Sequence, residues 1–257
     1  MNYLSLFSGA MGGDLGYQHI LKWRCTGYVE IEDYCQRVIK QRQLDGLADK
    51  APIFTDIKAF IDSGCCELYK GITDVITAGF PCQPFSVAGK QAGADDPRNM
   101  WPQTIECIRQ IRPKYAFLEN VPGLLSSGYF GTIIGALHEA RYNAKWCSIG
   151  AADVGAAHRR KRIWILANDI SKRGEGLVES KNIGKTRQGR WFSKEDLQQI
   201  ADNPFERTDM WPKPLLRGKM DGVAHRMDRL RAIGNGQVSI VAATAYKLLS
   251  GEISEGI

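Results

Sequence analysis

The sequence predicts an α/β fold, a parallel sheet covered by helices with a small irregular lobe attached. Three observations predict it. Up to about Asn168, short apolar runs alternate with stretches of helical period. Residues of unusual chemistry fall at or just past the ends of those runs, the edge where open α/β sheets bind ligands. Beyond Asn168 the alternation stops, and Gly174, Gly176, Gly184, Gly189, Pro204, Pro212 and Pro214 break up a stretch of poor apolar periodicity.

In chain order, strands are expected at Leu4–Phe7, Thr26–Glu30, Ile53–Thr55, Val75–Ala78, Tyr115–Leu118, Ala144–Ile149 and Arg162–Ala167. Helices are expected at Gly16–Lys22, Tyr34–Gln43, Thr104–Ile111 and Gly131–Arg141. Ser8-Gly9 follows the first strand, Glu30 closes the second, Asp56 follows the third, Cys82 the fourth and Glu119 the fifth. Apolar spacing returns at Met227 and ends in Val238–Leu249, a helix expected to dock back on the first lobe. The chain thus divides into one lobe of residues 1–168 plus 227–257 and a second of residues 169–226.

Bulk properties narrow the function classes. A chain of 257 residues with 44% hydrophobic content can bury one substantial core. No run approaches the roughly 18 to 20 apolar residues that span a bilayer, and Met1-Asn2-Tyr3-Leu4 lacks a secretory start, so a cytoplasmic protein is expected. Seven cysteines without a C-x-x-C pair argue against a disulfide framework and against a zinc site. The net charge of +6 is uneven: residues 170–231 carry 14 Lys/Arg against 9 Asp/Glu. Such a stretch suits a polyanion and equally suits a solvated insertion.

Four motifs carry chemistry. The run Leu4–Gly16 reads as a strand, a glycine-rich turn and a helix start, and its glycines allow close backbone approach to a ligand. Such turns also serve tight packing alone. Glu30 lies 21 residues beyond Gly9 at the next strand end, where a carboxylate can accept bonds from both ribose hydroxyls of a nucleoside. Cys82, in Gly79-Phe80-Pro81-Cys82-Gln83-Pro84, sits between two prolines on a loop of restricted freedom, the setting of a thiolate nucleophile. Glu119, 37 residues later, is one strand-crossover-strand unit away, which sets it beside Cys82, as a proton donor in preference to a structural cap of the next helix. In His158–Leu166, alternating cations precede an apolar strand. Arg160 and Arg162 are expected on one face of it, either near the crevice or as charge protecting a sheet edge.

The order of these motifs resembles that of the DNA (cytosine-5) methyltransferases over nearly the whole chain. The resemblance rests on the turn at Phe7–Gly16, Glu30, Asp56-Ile57, Pro81-Cys82-Gln83, Asp96-Pro97-Arg98-Asn99, Glu119-Asn120-Val121, Arg160-x-Arg162 and Gly234-Asn235-Gly236-Gln237-Val238. Met11 stands where the family pattern has glycine, and Ala157-His158 replace a frequent proline–glutamine pair.

The resemblance implies a Rossmann-like, S-adenosylmethionine-dependent fold with a small target-recognition lobe at 169–226, which is short for the family. It implies methyl transfer to carbon 5 of cytosine in double-stranded DNA through a covalent Cys82 adduct and base flipping. Cys82 and Glu119 would act on the ring, Arg162 would hold the base oxygen and Arg160 would support the site. S-adenosylmethionine would be held by Phe7, Ser8, Gly9, Gly12, Glu30, Ile31, Asp56, Ile57, Phe80, Pro81, Asn235 and Gly236, with no metal. A monomer from a bacterial or phage restriction-modification setting is expected. A tRNA cytosine methyltransferase and a catalytically silent DNA-binding relative are the rival readings. A nicotinamide oxidoreductase, suggested by the glycine turn alone, leaves the proline-flanked cysteine unexplained.

Overall fold

A computed structural model describes residues 1–81, 98–156, 158–172 and 236–253. Seven strands form one sheet: β1 (Asn2–Leu6), β2 (Arg24–Val29), β3 (Ile53–Phe54), β4 (Val75–Ala78), β5 (Tyr115–Asn120), β6 (Tyr142–Ile149) and β7 (Arg162–Asp169). Their order is β3-β2-β1-β4-β5-β7-β6. The first five are mutually parallel, but β7 runs antiparallel to both β5 and β6. The sheet is therefore mixed where the sequence predicted a parallel one. The physical reason is the connection 150–161, which at twelve residues with a short 3₁₀ turn as its described element is too short for the helical crossover a parallel pair requires. β7 is also an interior strand, so its cations do not protect a sheet edge.

Among the described residues the helices are α1 (Gly12–Leu15), which continues into a π-helical turn at Gly16–Ile20, α2 (Asp33–Leu44), α3 (Ile57–Asp62), α4 (Cys65–Tyr69), α5 (Trp101–Ile111), α6 (Tyr129–Glu139) and α7 (Ser239–Ser250). α3 and α4 were not anticipated. The π turn replaces the regular helix expected at Gly16–Lys22.

Strand alternation splits the core into two layers. Leu4, Leu6, Ile76, Leu118, Ile163 and Ile165 point to one side and pack with α3 to α6. Tyr3, Val75, Phe117, Trp164 and Leu166 point to the other and meet the π turn and α7. That second layer is aromatic: Tyr17 stacks on Trp23 at 5.4 Å, Trp23 meets Tyr246 edge-on at 4.5 Å, and Phe117 stacks on Trp164 at 5.2 Å. The expected docking of the last helix is thus present. The small residues Ala242 and Ala245 let α7 lie close against the π turn and α1.

Asp169, which the sequence reading placed in the second lobe, is the last residue of β7. Its fully buried carboxylate accepts from Arg112 Nη2 at 2.7 Å and from Ser171. Burial pushes that carboxyl up, but the Ser171 and Arg112 bonds outweigh it and leave it below the ordinary range. A 3₁₀ turn at Ile170–Lys172 follows the strand. The rest of the 169–226 lobe lies outside the described residues.

Candidate active site

The first turn is built from left-handed backbone. Phe7, Gly9 and Met11 have φ of 56°, 53° and 61°. For a side chain this costs roughly 1–2 kcal/mol, which explains why glycine suits the place of Met11. Met11 offsets the cost by complete burial against the aromatic layer, which contributes about 1.5–3 kcal/mol. A Cβ on Gly9 would meet nothing within 4 Å, so its face is open. Gly12, Gly13 and Gly16 differ. A Cβ there would stand 2.1 Å from Gln237 O, 1.9 Å from Gln237 Oε1 and 2.2 Å from Ser239 O. Of the two uses the sequence offers for these glycines, ligand approach and tight packing, the structure shows packing: their missing side chains make room for the returning C-terminal segment.

Glu30, one residue past β2, turns its carboxylate onto the same turn. Gly9 N–H donates to Oε2 at 2.6 Å and Glu32 N–H to Oε1 at 2.8 Å. Burial raises its pKa, and these two amide bonds oppose the rise. Beside it Ile31 is 68% exposed, an apolar side chain offered to a partner. Asp56 caps α3, its Oδ1 accepting from Lys58 N–H at 2.9 Å. Ile57 and Phe80, expected as cofactor contacts, bury their side chains in the core. The Phe80 ring lies 5.3 Å from that of Trp101. What Phe80 presents is its carbonyl, which accepts from Asn120 Nδ2 at 3.1 Å, while Pro81 is exposed.

Glu119 is the penultimate residue of β5 and pairs with Trp164 across to β7, so it lies inside the strand rather than past its end. Its Oε1 takes Arg162 Nε at 2.8 Å. Burial pushes the Glu119 carboxyl up, and Arg162, Arg160 and a hydrogen bond from the Gln237 side chain pull it back without restoring the ordinary value. Arg162 opens β7, whereas Arg160 precedes the strand, so strand alternation does not align the two. They converge on Glu119 because the connection 150–161 folds back: Arg160 Nη2 donates to Gly236 O at 2.5 Å. Burial lowers the Arg160 pKa, as does the neighbouring Arg162, while Glu119 raises it.

One crevice is lined by the first turn, by Glu119 and by the C-terminal segment. Its walls include Phe7, Ser8 and Gly9 on one side, Gly79 and Glu119 on the other, and Gly236 and Gln237 from the C-terminal segment. Its lining also includes the polar residues Ser5, Asp14, Tyr17 and Thr77. The sequence reading missed Asp14, Tyr17, Asn120 and Gln237 as site components. Asn120 and Gln237 stood in recognised motifs, which was the available signal; Asp14 and Tyr17 carried none. Cys82 and Asn235 lie outside the described residues, as do Asp96-Pro97 and Ala157.

The sequence pattern of the family described as C-5 cytosine-specific DNA methylase matches residues 1–221. The chain is 28% identical over 208 residues to the type II methyltransferase M.CviJI of Paramecium bursaria Chlorella virus IL3A, covering 80% of this chain and 53% of that protein. It is 34% identical over 168 residues to M.NgoMIV of Neisseria gonorrhoeae, covering 64% and 50%. The chain spans about half the length of these two relatives. A variant of DNMT2 from Spodoptera frugiperda shares the fold with a TM-score of 0.57 at 21% identity, covering 74% of this chain and 56% of that one.

Proposed function

We infer, because the chain belongs to the family of C-5 cytosine-specific DNA methylases, that it transfers a methyl group from S-adenosylmethionine to carbon 5 of cytosine in double-stranded DNA. The observation that carries the reading is the single crevice that has the Phe7–Gly9 turn on one wall and the Arg162-bound Glu119 on the other. A methyl donor and a pyrimidine ring need to meet in one such space.

The residues fit the cofactor. Glu30 offers a fixed carboxylate to ribose hydroxyls, Ile31 an exposed apolar face to a purine, and Gly9 an open backbone to the amino-acid portion. Phe7, Ser8, Gly12, Asp56, Ile57, Phe80, Pro81, Asn235 and Gly236 complete the set that would hold it, Ile57 and Phe80 through backbone. When bound, S-adenosylmethionine supplies an electrophilic methyl group.

The protein's work is to make carbon 5 nucleophilic. Cys82 thiolate adds to carbon 6 while Glu119 delivers a proton to ring nitrogen 3, and the electron pair moves to carbon 5. After carbon 5 gains the methyl group, loss of its proton to solvent returns the pair and breaks the bond to Cys82, ring nitrogen 3 gives its proton back to Glu119, and the base is released. Arg162 holds the Glu119 carboxyl and lies at hand for the base oxygen; Arg160 ties the C-terminal segment over the site. The cytosine leaves the duplex to reach this crevice. We assign reading of the surrounding DNA to the basic stretch within 169–226.

The test is a duplex carrying 5-fluorocytosine, whose carbon 5 cannot lose a proton. The wild type forms a denaturation-stable adduct and Cys82→Ala forms none while still binding S-adenosylmethionine. Labelled methyl on tRNA but not on DNA would reassign the substrate. No adduct and no transfer on either would leave a silent binding protein.

A further inference from the structure

The Gln237 side chain reaches into the site from 118 positions beyond Glu119 in the chain. Its backbone and amide occupy space left by the missing side chains of Gly12 and Gly13, and its amide packs tightly beside Gly79. A Cβ on Gly79 would lie 3.0 Å from Gln237 Nε2 and 3.2 Å from Glu119 Oε2, so the amide nitrogen and the carboxylate oxygen sit together beside that glycine. Tyr17 donates its hydroxyl to Gln237 Oε1 at 3.1 Å. The amide orientation follows: an ionised carboxylate only accepts, so the N–H₂ faces Glu119 and the carbonyl faces Tyr17. Glu119 Oε1 belongs to Arg162, which leaves Oε2 for Gln237.

We propose that Gln237 is a positioning residue for the Glu119 carboxyl, its N–H₂ holding the oxygen that Arg162 does not take while Tyr17 fixes its other end. The inference rests on the functional reading above in that it makes Glu119 the proton donor. Because Gln237 also lines the cofactor crevice, one side chain spans both halves of the site, and docking of the C-terminal segment completes the proton donor. Among the described residues, the groups facing Glu119 are Arg162 on β7, Arg160 before it, Gln237 from the C-terminal segment and, through it, Tyr17 of the π turn. Of these, Gln237 is the neutral donor whose loss leaves every charge in place.

The test compares Gln237→Met, which keeps the bulk and removes the hydrogen bonds, with Ser239→Ala, which removes only the bond from Ser239 Oγ to Gly12 O that helps seat α7. The ¹³C resonance of the Glu119 side-chain carboxyl, assigned by its absence in Glu119→Gln, is titrated in the cofactor-free protein. Gln237→Met is expected to move the titration to higher pH, because a bond favouring the ionised form is gone, and to slow single-turnover methyl transfer roughly ten-fold. Ser239→Ala is expected to leave the titration where it is. An unchanged titration in Gln237→Met overturns the proposal, as does an equal shift in Ser239→Ala, which would assign the effect to docking alone. Should Gln237→Met fail to fold, Gln237→Glu decides: two carboxyls then share the place and one titrates well above the wild-type Glu119. If the wild type transfers no methyl group, the functional reading fails while the titration still decides where Gln237 acts.

Discussion

Glu30 and Glu119 occupy the same edge of the sheet, three strands apart, and both are buried carboxyls pushed up by desolvation. Their partners differ. Glu30 is held by two backbone N–H groups, which no side-chain change removes and which have no charge to lose. Glu119 is held by Arg162 and Gln237, which come from β7 and the C-terminal segment, with Arg160 close by. Backbone amides favour one protonation state permanently, as suits a group that only accepts hydrogen bonds from a sugar. An arrangement of side chains around a desolvated carboxyl permits the proton to come and go, as suits general-acid chemistry.

The comparison is broken most severely at Glu119. Glu119→Gln keeps the shape and removes the transferable proton, so methyl transfer is expected to fall by roughly 10²- to 10⁴-fold with binding of S-adenosylmethionine retained. Single-turnover transfer and calorimetry with the cofactor measure the two parts; equal loss in both would make Glu119 structural. At Glu30 the pattern reverses. Glu30→Gln must turn its N–H₂ toward the Gly9 or Glu32 amide, setting donor against donor, and it gives up a charged acceptor for the ribose. The dissociation constant for S-adenosylmethionine is expected to rise about 10- to 100-fold with kcat nearly unchanged at saturation. A fall in kcat alone would refute the division of labour.

How much of this was legible depends on distance along the chain. The strand positions, Glu30 beside the first turn and the pairing of β4 with β5 are local or one crossover apart, so apolar runs and spacing revealed them. The end of β5 was drawn at Leu118 because Glu119 and Asn120 are polar; pairing with Trp164 and Ile163 keeps them in the strand. α3 was missed although Asp56 is a capping residue, because six residues show little period. The antiparallel β7 and the place of Gln237 depend on partners far away in sequence, and no local pattern encodes them.

Glycine 12 tests that long-range packing. Gly12→Ala places a methyl against the backbone of Gln237, which cannot swing aside as a side-chain end would. A loss of about 1–3 kcal/mol is expected from overpacking. Denaturant unfolding of the whole chain measures it, and a loss under about 0.5 kcal/mol, within the range of an ordinary surface change, would show that the segment seats loosely.

Asp14 sharpens the comparison from a third direction, because it is a buried carboxyl with neither an amide pair nor an adjacent cation. Tyr3 donates its hydroxyl to Oδ1 at 3.0 Å, Ser5 adds a second bond and the residue's own backbone N–H a third, and Arg42 acts only through space. Burial dominates and the carboxyl rises from 3.8 to about 6. The sign follows from that rise. The folded state holds this proton more tightly than the unfolded chain, so the associated stability is fully present below about pH 4 and is lost as pH climbs through about 6. Asp14→Asn carries no such proton and can still accept from Tyr3. Relative to the wild type it should gain stability as pH rises from 4 to 6.5, reaching a plateau of about 3 kcal/mol above that. Thermal unfolding across that range measures the difference. A constant offset between the two proteins would mean that Asp14 titrates alike folded and unfolded, and that hydroxyl donors hold a buried carboxylate as well as the amides of Glu30 do.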